Sequence, residues 1–223
     1  MTMVNPSYQL WRPVLLVTAM LGVNANAMNV VGEAYDVDNG ELRYREIHQC
    51  SAGGDRCVVE YEDPAGELIA RKVVDYQSSL HSPSLQVQDL RQGTTVSIEG
   101  DSREAVVIDA GFDHYVRLRW DDLVSGTTVR FPFLVVGREK PLKMTASKME
   151  PEACPEERMC FKVALDNWLL GNLLTPIRLE YDAESRRLLQ FKGVSNIRDV
   201  DGKSQMVRID YRYVESLAEE TTS

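Results

Sequence analysis

The stretch FDHYVRLRWDDL, residues 112–123, interrupts a chain that otherwise alternates apolar and polar residues, and it decides the fold. Its apolar side chains recur at intervals of three and four residues, which is the spacing of one helical face. Gly126 follows where such a helix would end. The pattern predicts one amphipathic helix whose apolar stripe, with Trp120 as its largest member, lies against a sheet.

On both sides of this stretch the dominant period is two, which is typical of β-strands. Residues 30–37 and 41–49 flank Asn39 and Gly40, and an Asn-Gly pair supplies the positive φ angles of a type I′ turn. We therefore expect a β-hairpin here. A second hairpin is expected over residues 57–77, around a Pro-Ala-Gly turn.

Further strands are separated by glycine, proline or short polar turns. They are expected over residues 85–90, 94–99, 105–109, 128–136, 142–149, 160–165, 177–181, 188–197 and 205–213. The strands before the helix should form an antiparallel meander. Pro132 cannot donate to a ladder, so an edge or bulge is expected there, while the apolar end of its strand predicts cover on both faces. Residues 166–174 predict a second, short helix.

So many strands cannot lie in one flat sheet and must curl or split. We expect a mainly β protein with a single large curled antiparallel sheet, half-barrel-like, whose concavity holds the amphipathic helix. Two packed sheets are the competing arrangement.

Residues 1–27 carry the features of a secretory signal. Arg12 precedes an apolar run over residues 14–23, and small residues close the segment at 25–27. We expect cleavage after Ala27 and a periplasmic location, with no membrane-spanning segment left. A membrane anchor is the alternative, but a spanning helix needs about 20 apolar residues.

The composition is that of an acidic globular protein, with 34 Asp and Glu against 25 Lys and Arg in 223 residues and a formal charge of −9. Such a charge repels phosphate, so no nucleic-acid partner is expected. We expect one β-rich domain over residues 28–215 and an acidic flexible tail over residues 216–223.

The four cysteines form two local pairs in the sequence. Cys50 and Cys57 are seven residues apart, and Cys154 and Cys160 are six apart. Two disulfides that each close a small loop are the simplest explanation in an exported chain. A zinc site that uses His48 near Cys50 is the alternative, but neither pair has the spacing of a zinc knuckle. No metal or cofactor is expected.

No linear motif indicates catalysis, and no catalytic residue is assigned. His114 follows Asp113, but adjacent helical residues point in different directions. Asp121 and Asp122 are better explained as a solvated face, because carboxylates split their pKa values only when they converge. A hydrolase that uses acidic residues such as Asp109, Asp113 or Asp121 is therefore a third hypothesis, behind the two given below.

Two segments resemble a family of exported proteobacterial proteins that has no assigned activity. The resemblance is carried by residues 110–113, 119–123, 126 and 130–135, and then by residues 176–182, 187–188, 191–193 and 196–197. It covers most of the mature chain and implies an exported protein. In architecture alone, the expected fold is similar to the half-barrel carriers of lipoproteins in the periplasm, which can shelter an acyl chain.

The first functional hypothesis is a non-catalytic binding or carrier module for a hydrophobic, acyl-chain or lipid-like ligand. The candidate cavity would be lined by Trp120, Phe131, Phe133, Trp168 and Leu169. These residues would otherwise simply fill the core. The second hypothesis is a structural or scaffold protein of the cell envelope that acts through contacts with another envelope protein.

Overall fold

The computed structural model describes residues 28–101, 103, 105–167 and 175–215. Within them the chain forms thirteen strands. These are β1 (Met28–Asp36), β2 (Leu42–Cys50), β3 (Arg56–Glu62), β4 (Leu68–Asp75), β5 (Ser84–Asp89), β6 (Thr94–Ile98), β7 (Val107–Ile108), β8 (Val129–Leu134), β9 (Leu142–Lys148), β10 (Arg158–Leu165), β11 (Ile177–Asp182), β12 (Leu188–Val194) and β13 (Met206–Glu215). The expected leader, the acidic tail and residues 168–174 of the expected second helix lie outside the described residues.

All thirteen strands belong to one open sheet in the order β6-β5-β4-β3-β2-β1-β13-β12-β11-β10-β9-β8-β7. The first and last strands pair at its centre, where Met28 lies opposite Glu215 and Asp36 lies opposite Val207. Two meanders therefore extend outward from this central pair. The predicted fold class, a mainly β protein with a single curled sheet and short helices, is confirmed.

The hairpin between β1 and β2 is where it was expected, but its turn is not of type I′. Only Gly40 has a positive φ, of 74°, whereas Asn39 does not. The loop is longer because the side chain of Asp36 accepts hydrogen bonds from the backbone N–H groups of Asp38 and Asn39. This local bonding competes with the two-residue turn.

The short strand β7 does not continue the first meander. It pairs in parallel with β8, where Val107 lies opposite Phe133 and Ile108 opposite Leu134. The chain thus crosses from one edge of the sheet to the other between β6 and β7. The alternation of apolar and polar residues could not predict this crossing, because it is the same in parallel and antiparallel strands.

The predicted single helix consists of two: α1 (Phe112–Leu118) and α2 (Trp120–Val124). Arg119 breaks the helix with φ −98° and ψ 18°. A 3₁₀ turn over Asp109–Gly111 leads into α1. The break does not displace the apolar stripe, because Val116, Trp120 and Leu123 are all buried against the sheet.

The strand that contains Pro132 alternates in burial along β8 instead of being covered on both faces. Phe131 is buried, whereas Arg130 and Pro132 are exposed. β8 is next to the edge, and its outer neighbour β7 pairs only with Phe133 and Leu134. Pro132, which has no N–H to donate, therefore lies just outside the ladder between β7 and β8.

The sheet curls until the edge strand β7 reaches the loop between β4 and β5, near the other end of the strand order, without closing a ladder. The backbone N–H of Ile108 donates to the His81 carbonyl at 2.9 Å, and that of Asp101 donates to the Ser82 carbonyl at 3.1 Å. Gly111 lies so close that a Cβ would be 2.4 Å from the His81 oxygen. We call the contacts between residues 79–84 and residues 100–111 the seam.

Within the described residues, no helix has the length and apolar character needed to span a bilayer.

Candidate functional site

A cavity of about 1100 Å³ occupies the concave side of the sheet. Its wall combines inward-facing side chains of both meanders with one face of α1. The apolar and aromatic part includes Tyr44, Val59, Tyr61, Val74, Phe112, Phe133, Met144, Val163, Leu179, Tyr181, Phe191, Ile209 and Tyr211. The exposed loop residues 51–54 also line it, so the cavity opens to solvent at that loop.

A buried ion pair lies in the wall where β4 faces the seam. Lys72 Nζ lies 2.6 Å from Asp109 Oδ1, and the other oxygen of Asp109 accepts a hydrogen bond of 2.7 Å from the Asn196 amide. Burial by itself would lower the pKa of Lys72, but the charge and hydrogen bond of Asp109, together with the charges of Tyr61 and Glu46, outweigh it, and the pKa lies above its usual value. The lysine is therefore a fixed cation whose charge is already compensated.

Asp109 has an unusual backbone, with a φ of 30°. Positive φ is uncommon for residues other than glycine. The bonds to Lys72 and Asn196 hold the residue in this conformation just where the chain turns into α1. They therefore connect three separate segments at one point of the wall.

A buried carboxylate, Glu46, lies on the β2 side of the cavity. It is 7% exposed, accepts a hydrogen bond of 3.2 Å from the Tyr211 hydroxyl and lies 3.1 Å from His48 Nε2. Burial and then the charge of Glu46 raise the pKa of Tyr211 well above its usual value. The tyrosine ring lies over Gly32, where a Cβ would be 2.8 Å from its Cε1. Only glycine leaves room for this ring.

Helix α1 contributes a third polar group. Arg117 Nη2 lies 2.7 Å from Asp113 Oδ2. Burial and then the nearby Asp113 charge raise the pKa of Tyr181. Within the described chain, neither the Tyr181 hydroxyl nor Asp113 Oδ1 completes a hydrogen bond. Burial and the Arg117 charge lower the pKa of His114, which keeps its ring neutral near pH 7.

Of the five cavity residues expected from the sequence, one lines the cavity, two lie in the core beside it and two lie outside the described residues. Phe133 lines the cavity. Trp120 is 5% exposed and packs edge-on against two other core rings, and Phe131 is equally buried beneath α1. These two residues therefore lie in the core beside the cavity. Trp168 and Leu169 lie outside the described residues.

Sequence reasoning missed most of the wall, above all the tyrosines Tyr44, Tyr61 and Tyr211 and the buried charges Glu46 and Lys72. Their alternation along each strand was visible, but alternation alone does not tell which of the two faces points inward. The available signal was Gly32 in the middle of an otherwise regular strand, because such a glycine marks a close approach by another group.

Both expected disulfides are present. Cys50 and Cys57 lie directly opposite each other on β2 and β3 and belong to the cavity wall. Cys154 and Cys160 lie elsewhere. Such bonds persist in oxidising compartments. Within the described residues, no three His, Cys, Asp or Glu side chains converge as metal ligands would.

No family model and no curated protein matches the chain. Solved structures that are loosely similar include an outer membrane lipoprotein-sorting protein domain from Vibrio parahaemolyticus, with 10% identity and a TM-score of 0.29 over 88% of this chain and 89% of that one. A LolA superfamily protein from Nitrosomonas europaea shares 11% identity with a TM-score of 0.27, over 89% of this chain and 90% of the other.

Proposed function

We propose that the protein is a non-catalytic binding or carrier module that holds a hydrophobic ligand, an acyl chain or a similar lipid-like group, in its concave cavity. The observation that carries this proposal is the cavity of about 1100 Å³ with its apolar and aromatic wall. Ligand sites typically have about 300 to 1,000 Å³ and are lined mostly by apolar side chains. A protein that acted only through its surface would need no such space.

The charges of the wall indicate which part of the ligand enters. The two buried or half-buried cations that line it, Lys72 and Arg117, are each committed to a carboxylate, at 2.6 and 2.7 Å. A charged group brought inside would therefore be left unpaired, which costs several kcal/mol. Exposed Arg138 and Arg198 also line the cavity. We expect an uncharged chain inside and any anionic group beside one of these exposed arginines.

The proposed place of action is the periplasm, after removal of the leader. Two disulfides support an oxidising compartment. The mature domain would then keep a poorly soluble hydrophobic ligand out of water. Such a role requires no catalytic residue.

The test uses the fluorescence of N-phenylnaphthylamine, which rises when the probe leaves water. We expect saturable binding by the native chain and loss of binding in Val59→Trp, because Val59 is 4% exposed and lines the cavity. Val58→Trp is the matched control, since this preceding residue of β3 faces outward. Equal binding by both variants, or no binding by the native chain, would refute the proposal.

A second measurement addresses the natural ligand. Protein purified gently from the cells that make it should release a stoichiometric lipid into organic solvent, which mass spectrometry can identify. The same extraction from Val59→Trp should yield less than a tenth as much.

A further inference from the structure

Four cations form one row across the second meander. Lys162 on β10, Arg178 on β11, Lys192 on β12 and Arg208 on β13 are successive partners in the register of the sheet. Neighbouring strands lie about 4.8 Å apart, so the row is about 14 Å long. Strand pairing brings these residues together although up to 46 positions separate them in the chain.

The row lies on the convex face of the sheet, opposite the cavity. The residues next to its members, such as Phe161, Leu179 and Ile209, point inward and are buried. Lys162, Lys192 and Arg208 are exposed, and Arg178 is half-buried. The row is an open strip of positive charge.

Like charges directly opposite each other destabilise a sheet, so the row is a cost to the fold. Two of its members offset this cost along their own strands: Arg178 lies 2.9 Å from Glu180, and Arg208 lies 3.1 Å from Asp210. At the equivalent positions Lys162 and Lys192 have Cys160 and Gln190 as neighbours. Within the described part of the chain, neither lysine has an ion-pair partner.

We propose that this row docks the protein on an anionic membrane surface. A chain with a formal charge of −9 has collected unpaired cations on one strip, which points to an anionic partner. Lysine is a compact point charge without the fixed fork that arginine offers to a single carboxylate. Two unpaired lysines on an open strip therefore fit a field of lipid headgroups better than one defined protein carboxylate.

Screening explains how the strip can act against the overall charge. At physiological salt, charges more than about 8 Å apart are largely screened, so a nearby surface senses mainly the charges of the strip. Each lysine near an anionic bilayer adds attraction. This proposal is independent of the cavity, so either proposal can fail without the other.

The test is sedimentation of the full mature chain with vesicles at low and physiological ionic strength. We expect binding to vesicles of equal phosphatidylglycerol and phosphatidylcholine, and none to phosphatidylcholine alone. Lys162→Gln with Lys192→Gln should weaken binding about thirtyfold. The control, Lys140→Gln with Lys203→Gln, removes the same charge from exposed positions outside the row, although Lys203 lies 3.6 Å from Asp201, and should change binding less than twofold.

A stability measurement accompanies it. Because the substitutions relieve like-charge pairs, the row variant should melt about 1 to 3 °C above the native chain, which separates lost docking from misfolding. The proposal is overturned if the native chain prefers neither vesicle, if row and control variants lose binding equally, or if soluble polyglutamate is bound but anionic vesicles are not. The last result would indicate an acidic protein partner instead.

Discussion

Lys72 and Asp109 form a buried ion pair of 2.6 Å between strand β4 and the turn that leads into α1. The two residues are 37 positions apart: Lys72 lies on β4, the third strand from one end of the strand order, and Asp109 directly follows β7, the strand at the other end. Their contact exists only because the sheet curls. It therefore reports on the geometry that creates the cavity.

Removing the cation of this pair should destabilise the protein strongly. Lys72→Met leaves the Asp109 carboxylate buried without its counter-charge, and we expect a loss of about 3 to 5 kcal/mol in the free energy of unfolding, measured with urea. Arg71→Met is the control: the exposed neighbour lies 3.7 Å from Glu60, and its loss should cost less than about 1 kcal/mol. Similar losses for both variants would show that the buried pair has no special role.

The protein should lose stability as the solution becomes alkaline. Burial raises the pKa of Tyr76 and of Tyr213 to about 12, while an unfolded tyrosine titrates near 10. Above about pH 10 the unfolded chain releases these protons first, so the free energy of unfolding falls as pH rises towards 12. Lys72, whose pKa is also raised, acts in the same direction.

Urea titrations at several alkaline pH values, with absorbance of the phenolate, test this expectation. In Tyr76→Phe the free energy of unfolding should fall less steeply with pH, and the difference in slope should correspond to about one proton. A flat stability curve between about pH 10 and 12 would contradict the assignment.

The seam depends on a glycine. In Gly111→Ala the new methyl group would lie 2.4 Å from the His81 carbonyl oxygen and 2.5 Å from its carbon, and backbone atoms cannot move aside cheaply. We expect a loss of about 1 to 3 kcal/mol. Gly53→Ala is the control, because its Cβ would meet nothing closer than 3.8 Å. Thermal melts of the two variants should differ clearly, and coinciding melts would refute the close contact.

The two disulfides should separate stability from binding. Each closes a small loop, and replacing either pair by serine should cost about 2 to 3 kcal/mol. Only the pair Cys50 and Cys57 lines the cavity. Its removal should weaken N-phenylnaphthylamine binding, while removal of Cys154 and Cys160 should leave the affinity of the folded protein unchanged. Equal effects on binding would place the probe elsewhere.

Ligand selectivity should follow from the paired cations of the wall. Hexadecanoic acid can leave its single carboxylate beside exposed Arg138 or Arg198. Hexadecanedioic acid of the same length must bury a second carboxylate without a free partner, and we expect at least about tenfold weaker displacement of the probe. Equal affinities would mean that the far end of the chain also reaches water.

Local patterns predicted the elements well. The period of two located the strands on both sides of residues 112–123, and the period of three to four located the helical stripe. They could not predict the break at Arg119 or the longer loop at Asn39, because both depend on backbone bonding within single turns. Pairing in parallel between β7 and β8 left no mark in the sequence either.

The candidate site was predicted less well than the fold. Aromatic residues near the helix were expected to line a cavity, yet Trp120 fills the core beside it, whereas Tyr44 and Tyr211 line it. An alternating strand has two faces, and alternation alone could not show that the face with Glu46 and His48 points inward. Burial of these polar groups is tolerated only because other strands supply hydrogen-bond partners for them.

The sequence by itself determined where the chain extends, where it turns into a helix and which cysteines can reach each other, because these depend on neighbours a few residues apart. The tertiary structure decided the cavity, the Lys72 and Asp109 pair, the seam and the cation row. Each of these joins segments that are distant in the chain, and their contacts depend on the register and curvature of the sheet. Those are properties of all the strands together, which no local stretch of sequence encodes.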